Sequence, residues 1–119
     1  NGTVTTSGQA GYGIYAVGAN NSLSNNGILT TTGKNAHGIN ASGNSNVIIN
    51  GGTITTEGIG TAFGIITNGD ANTVINRGFV TTNNANGIDT FGAGATVTNS
   101  GTVISAQNFS LDIGAPIPL

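Results

Sequence analysis

The chain has 119 residues, two basic against four acidic side chains, a net charge of −2 and no cysteine. That length holds at most one structural unit. The scarcity of Lys and Arg excludes the counterion displacement on which nucleic-acid binding runs, the missing thiols exclude disulfide staples and zinc–thiolate sites, and no apolar run approaches the roughly 18 residues of a membrane span.

The first residues, Asn1-Gly2-Thr3-Val4, lie inside a motif that then recurs in full: apolar, any, Asn, any, Gly, any, apolar. It reads Leu23-Ser24-Asn25-Asn26-Gly27-Ile28-Leu29, Ile48-Ile49-Asn50-Gly51-Gly52-Thr53-Ile54, Val74-Ile75-Asn76-Arg77-Gly78-Phe79-Val80 and Val97-Thr98-Asn99-Ser100-Gly101-Thr102-Val103. From Gly2 through Gly27, Gly52, Gly78 and Gly101 the steps are 25, 25, 26 and 23 residues. A second block keeps the same phase: Gly13-Ile14-Tyr15-Ala16, Gly38-Ile39-Asn40-Ala41, Gly64-Ile65-Ile66-Thr67, Gly87-Ile88-Asp89-Thr90 and Ser110-Leu111-Asp112-Ile113. Apolar residues fall at every second position, which is the period of a strand. The 21 Gly, 18 Asn and 18 Thr lie low on the helix scale, and no window carries the i, i+3, i+4, i+7 pattern.

One such unit cannot bury its own apolar face, whereas stacked units can. The expected fold is therefore all-β, a right-handed parallel β-helix (β-solenoid) of about five coils of 23–26 residues with three sides. Residues 1–113 form the array in this reading. Residues 114–119, with two prolines that cannot continue a central strand, form a linker or tail. The chain starts within a repeat and carries no signal-peptide pattern, so it reads as a piece of a longer polypeptide.

Stacking turns the repeats into columns. Asn25, Asn50, Asn76 and Asn99 form a predicted corner ladder, since an amide both donates and accepts. Gly27, Gly52, Gly78 and Gly101 share that corner, where Asn and Gly are expected for their tolerance of left-handed backbone. A looser column, Asn21, Asn46 and Asn72, is broken by Ala95. The predicted core holds the columns of Leu23, Val4 and Ile14, with the small residues Ala16, Ala41, Thr67 and Thr90 two positions beyond Ile14, Ile39, Ile65 and Ile88.

Four features invite a chemical reading. Asp89 and Asp112 occupy equivalent positions in the last two coils, where paired carboxylates can serve a retaining glycosidase or bind calcium. The bland expectation is two solvated acids, with the pair only a weak metal candidate. The lone histidine, His37, sits in a column with Tyr12, Phe63, Asn86 and Phe109, which points to ring stacking, and no acid in phase beside it completes a Ser/His/Asp set. The column Thr6, Thr31, Thr56, Thr82 is Thr at every rung and is the candidate for an outward hydroxyl array that binds ice, with β-propensity as the plain alternative. The Gly-rich stretches around Gly11 and Gly92 open no helix and so do not read as phosphate loops. The acceptor tripeptides at Asn40 and Asn108 are inevitable at this composition.

Runs such as Asn99-Ser100-Gly101-Thr102-Val103, Asn50-Gly51-Gly52-Thr53-Ile54 and Ala36-His37-Gly38-Ile39-Asn40-Ala41-Ser42-Gly43 resemble the repeats of bacterial autotransporter (type V secretion) passengers and related large surface adhesins, over roughly residues 1 to 113. The resemblance implies an exported right-handed β-helix at the cell surface, often adhesive. The functional expectation is a non-catalytic structural or adhesive segment of an extracellular bacterial surface protein or fibre, without catalytic residues or cofactor. Its partners would be a glycan or protein on a host or neighbouring cell, with no nucleic acid and no membrane insertion by this segment. Unpaired strand edges at open coil ends add an expected end-to-end self-association. The alternatives are a glycan-binding or glycan-cleaving β-helix and an ice-binding Thr array. The four acids Glu57, Asp70, Asp89 and Asp112 are too scattered for the clustered carboxylates of a cleft.

Overall fold

The computed structural model describes residues 2–115. Fourteen short strands follow one another with no helix among the described residues: β1 (Thr3–Thr6), β2 (Ile14–Val17), β3 (Ser22–Asn25), β4 (Ile28–Thr31), β5 (Ile39–Ser42), β6 (Val47–Asn50), β7 (Thr53–Thr56), β8 (Ile65–Asn68), β9 (Thr73–Asn76), β10 (Phe79–Thr82), β11 (Ile88–Phe91), β12 (Thr96–Asn99), β13 (Thr102–Ser105) and β14 (Leu111–Ala115). Every third strand stacks on its equivalent in the next coil. The result is three parallel sheets: A (β1-β4-β7-β10-β13), B (β2-β5-β8-β11-β14) and C (β3-β6-β9-β12). The fold is a three-sided parallel β-solenoid, with four complete coils and two strands of a fifth among the described residues. The proposed tail lies mostly outside those residues, but its first two, Gly114 and Ala115, belong to β14 and follow a register shift opposite Thr90 and Phe91.

The apolar columns stack in register. Val4, Leu29, Ile54, Val80 and Val103 pair along sheet A. Ile14, Ile39, Ile65, Ile88 and Leu111 pair along sheet B, and Leu23, Ile48, Val74 and Val97 along sheet C. In the middle coils these residues are wholly buried and form one continuous core with Ala41. Each coil contributes one large apolar side chain per sheet, so the core depends on its neighbours above and below rather than on its own coil.

The uneven repeat length has a single origin. The link from sheet C to sheet A is always two residues, and that from sheet B to sheet C always four. Only the link from sheet A to sheet B varies, at seven, seven, eight, five and five residues down the array.

The motif glycines occupy their corner for a different reason from the one expected. Positive φ occurs instead at the B-to-C turn, at Gly18, Gly43, Gly69 and Gly92 (φ 118° to 133°) and two residues later at Asn20, Ser45, Ala71 and Gly94 (φ 57° to 70°), and in the A-to-B link at Ala10, Asn35 and Gly60 (φ 52° to 81°). Gly27, Gly52, Gly78 and Gly101 are required for space: a Cβ on each would collide with the carbonyl oxygen of the glycine one coil below. A Cβ on Gly13, Gly38, Gly64 or Gly87 would likewise strike the core side chain of Leu29, Ile54, Val80 or Val103. Gly51, next to Gly52, faces only the Asn26 amide, which is exposed and able to swing away. Gly52→Ala should therefore cost about 2–3 kcal/mol, as overpacking does, while Gly51→Ala stays within about 0.5 kcal/mol of the parent. Urea denaturation of the two variants checks this pair.

Candidate functional site

The C-to-A corner is held by side-chain amides. Asn25 Nδ2 donates to Asn50 Oδ1 at 2.9 Å, Asn50 Nδ2 to Asn76 Oδ1 at 2.8 Å, and Asn76 Nδ2 to Asn99 Oδ1 at 2.8 Å. The same Nδ2 atoms also reach the carbonyls of Gly27, Gly52 and Gly78 at 3.3 Å. Asn50 and Asn76 are completely buried. The B-to-C turn has a second ladder of another kind: the backbone N–H of Asn21 donates to Asn46 Oδ1 and that of Asn46 to Asn72 Oδ1, each at 2.8 Å. Their amide groups tie back to the carbonyls of Gly18, Gly43 and Gly69. Where Ala95 replaces the Asn, this column ends.

On the outside of sheet B lies a layer that the alternation of strand residues does not announce. Residues 15, 40, 66, 89 and 112 point outward, yet Asn40, Ile66 and Asp89 are buried. The side chain three positions earlier folds over the column. Tyr12 packs edge-on against Tyr15 with centroids 5.2 Å apart, and Asn86 Nδ2 donates to Asp89 Oδ2 at 2.8 Å. Tyr12, His37 and Phe63 stack face to face at 4.8 and 5.2 Å. The i, i+3 spacing in Tyr12-x-x-Tyr15 and Asn86-x-x-Asp89 was the available signal.

His37 is 7% exposed and does more than stack. Its Nδ1 accepts the backbone N–H of Phe63 at 3.1 Å, which places the ring proton on Nε2. One variable link further on, Asn86 Oδ1 accepts the N–H of Phe109 at the same distance. Burial lowers the His37 pKa to about 4.

Asp89 and Asp112 are register partners, as their spacing implies. The expectation of two solvated acids does not hold for Asp89, which is 2% exposed because Asn86 covers it. Its Oδ2 has Asn86, while its Oδ1 is buried with no hydrogen-bond partner. Desolvation raises its pKa above the ordinary carboxyl value, the Asn86 hydrogen bond opposes that, and the Asp112 charge adds to it. Asp112 is half-buried. A glycosidase pair needs both carboxyls against a sugar, and only Asp112 is open to one. No group of three or more His, Cys, Asp or Glu occurs among the described residues.

The Thr columns are assigned to the opposite faces from those the ice reading requires. Thr31, Thr56 and Thr82 are fully buried, and their hydroxyls donate to the carbonyls of Ala36, Ala62 and Ala85, each three residues before the next strand of sheet B. They close the A-to-B corner from inside, so they form no outward array. The outward Thr column is Thr5, Thr30, Thr55 and Thr81, continued by Ile104. Beside it runs Thr3, Ile28, Thr53, Phe79 and Thr102, in which Ile28 and Phe79 are 52% and 57% exposed. Neither this face nor the outer face of sheet C carries a charged residue, because Lys34, Glu57, Asp70 and Arg77 all sit in the links.

No family model, curated protein or solved structure matches the chain. No helix among the described residues is long and apolar enough to cross a membrane.

His37 generates a pH prediction. Its folded pKa of about 4 lies below the ordinary histidine value of 6.5, so the unfolded chain takes up a proton that the folded one refuses. Stability should be complete above about pH 6.5 and fall toward pH 4, by about 1–3 kcal/mol from this group. Asp89, whose pKa is raised, acts with the opposite sign: it gains its proton first in the folded state and offsets part of the loss in acid. His37→Asn keeps an acceptor for the Phe63 N–H, as Asn86 does for Phe109, and removes the titration. Urea midpoints from pH 7.5 to 4 should decline less in that variant than in the parent.

Proposed function

We propose that this chain is a non-catalytic structural and adhesive segment of an extracellular bacterial surface protein or fibre. The observation that carries the reading is the contrast between inside and outside. Every inward column is fixed by packing or by an amide ladder, whereas sheets A and C present flat, charge-free outer faces on which Thr and Ser alternate with half-exposed Ile, Val and Phe. An uncharged, regularly spaced face suits many weak contacts to a neutral glycan or protein surface, which add through multivalency. The resemblance of the repeats to type V passengers supports export to the cell surface. The test is retention of labelled protein on a glycan array and on cells, comparing the parent with Thr55→Glu/Thr81→Glu, a pair on the outer face of sheet A. Retention should fall at least about tenfold, because two desolvated charges disrupt a repeated contact. Unchanged retention, or release of sugars from the array, would overturn the reading.

The outward column Thr5, Thr30, Thr55 and Thr81 supports a second reading, an ice-binding face with hydroxyls spaced about 4.8 Å apart by the strands. Thermal hysteresis at millimolar protein that Thr55→Lys abolishes is the expected result under this reading, and zero hysteresis in the parent ends it.

A further inference from the structure

We propose that Asp89 and Asp112 form a low-affinity site for a divalent cation with the chemistry of calcium, on the outer face of β11 and β14. The site is independent of the adhesion reading. Two observations meet there. Asp89 and Asp112 are direct Cα partners in the β11–β14 register, so both side chains leave neighbouring strands on the same face. Separately, Asp89 is 2% exposed and its Oδ1 has no hydrogen-bond partner.

A buried carboxylate oxygen without a donor, held beside a second negative charge, lacks the partner that buried charges ordinarily have. None of the surrounding elements supplies one. On the β8 side the column residue is Ile66, while the link before β11 provides Asn86, already bonded to Oδ2, and the link before β14 provides Phe109. A proton meets the need in acid. Desolvation and the Asp112 charge raise the Asp89 pKa against the Asn86 hydrogen bond and so favour that proton, but near neutral pH an ordinary carboxyl is ionised, and there a cation is the partner that fits. Both ligands are hard oxygens, which selects calcium or magnesium over softer metals. Asp112 is half-buried, so a hydrated ion can reach the pair from the solvent side. No third carboxylate or histidine joins them among the described residues, so water completes the shell. Calcium tolerates such an irregular shell better than magnesium does, and a site with so few protein ligands belongs at the weak, roughly 0.1–1 mM end of its range.

The experiment is thermal unfolding at pH 7.5 and constant ionic strength, with EDTA or with 0.1–10 mM calcium chloride. The parent should show a saturable rise in Tm of about 5 °C at the top of the titration. Asp112→Asn and Asp89→Asn should both lose it, and Glu57→Gln, in the exposed A-to-B link, should keep it. Asp89→Asn should remain folded, because the same column already holds Asn40. In EDTA it should melt above the parent, since the buried charge is gone. A parent Tm that ignores calcium overturns the site. So does a calcium response that survives Asp112→Asn, and so does a Tm that climbs only with acid, which would make a proton the partner.

Discussion

The structure depends on how corner backbone groups find partners. Strand N–H and C=O groups pair with the next coil along a straight ladder. At each corner the chain turns, and some of these groups lose that alignment. A buried polar group left unpaired costs about 1–3 kcal/mol, and a stacked architecture would repeat that cost in every coil. Here side chains from the neighbouring coil take the vacant places. Asn50 passes its amide to Asn76 and to nearby carbonyls, Asn46 and Asn72 receive the N–H groups of residues 21 and 46, and His37 and Asn86 receive those of Phe63 and Phe109. The high Asn content is thus the counterpart of a fold that turns three corners per coil. Each ladder member is also committed in both directions. Loss of Asn50 would strip Asn25 of an acceptor and Asn76 of a donor, both inside the stack.

Close approach of the coils sets the second condition. At the two-residue C-to-A link the backbones come so near that the glycine of one coil sits on the carbonyl of the glycine below. That link cannot lengthen or accept a side chain at Gly27, Gly52, Gly78 or Gly101 without lifting one coil off the next. The four-residue B-to-C link shares that close approach at Gly43, Gly69 and Gly92 and is constrained further by its two left-handed positions. The A-to-B link meets both conditions at single positions, with Gly33 and Gly58 seated on the glycine carbonyl of the coil below and positive φ at Ala10, Asn35 and Gly60, yet it absorbs every difference in repeat length. The buried hydroxyls of Thr31, Thr56 and Thr82, from the strand before the link, hold a carbonyl near its far end and so close the link from within.

The columns were legible in the sequence because stacking converts periodicity directly into contact. The partners of Leu29, Asn50 and Asp89 follow from counting alone. What counting cannot give is which side of a strand meets water when a link folds back. Alternation places Asp89 outside, and it does lie on the outer face, but Asn86 closes over it. The same limit governs Thr31 and Thr30: adjacent, identical and equally suited to a strand, they differ only in which face the flanking Leu29 commits inward. That comparison was available in the sequence, since Leu29 and Thr31 are two apart and must share a face. The glycine corner shows a third kind of limit. Composition names glycine there, but only the distance between coils distinguishes a need for space from a need for positive φ.

These constraints divide the surface. Sheets A and C expose neutral outer faces locked to the register of the core, and a change on them alters chemistry without altering shape. The outer side of sheet B and its incoming link vary in length and carry a covering layer. Lys34, His37, Glu57, Asp89 and Asp112 lie there, against Asp70 and Arg77 elsewhere. A titratable group needs desolvation and a specific neighbour to depart from its ordinary behaviour. In a solenoid this narrow, the interior is filled by one apolar residue per sheet and coil and offers no room for such a group. The covering layer supplies both conditions outside the core. His37 and Asp89 therefore acquire shifted pKa values in opposite directions without interrupting the apolar columns. The fold thereby keeps its shifted titratable groups outside the apolar columns, and His37 still ties one coil to the next through the Phe63 N–H.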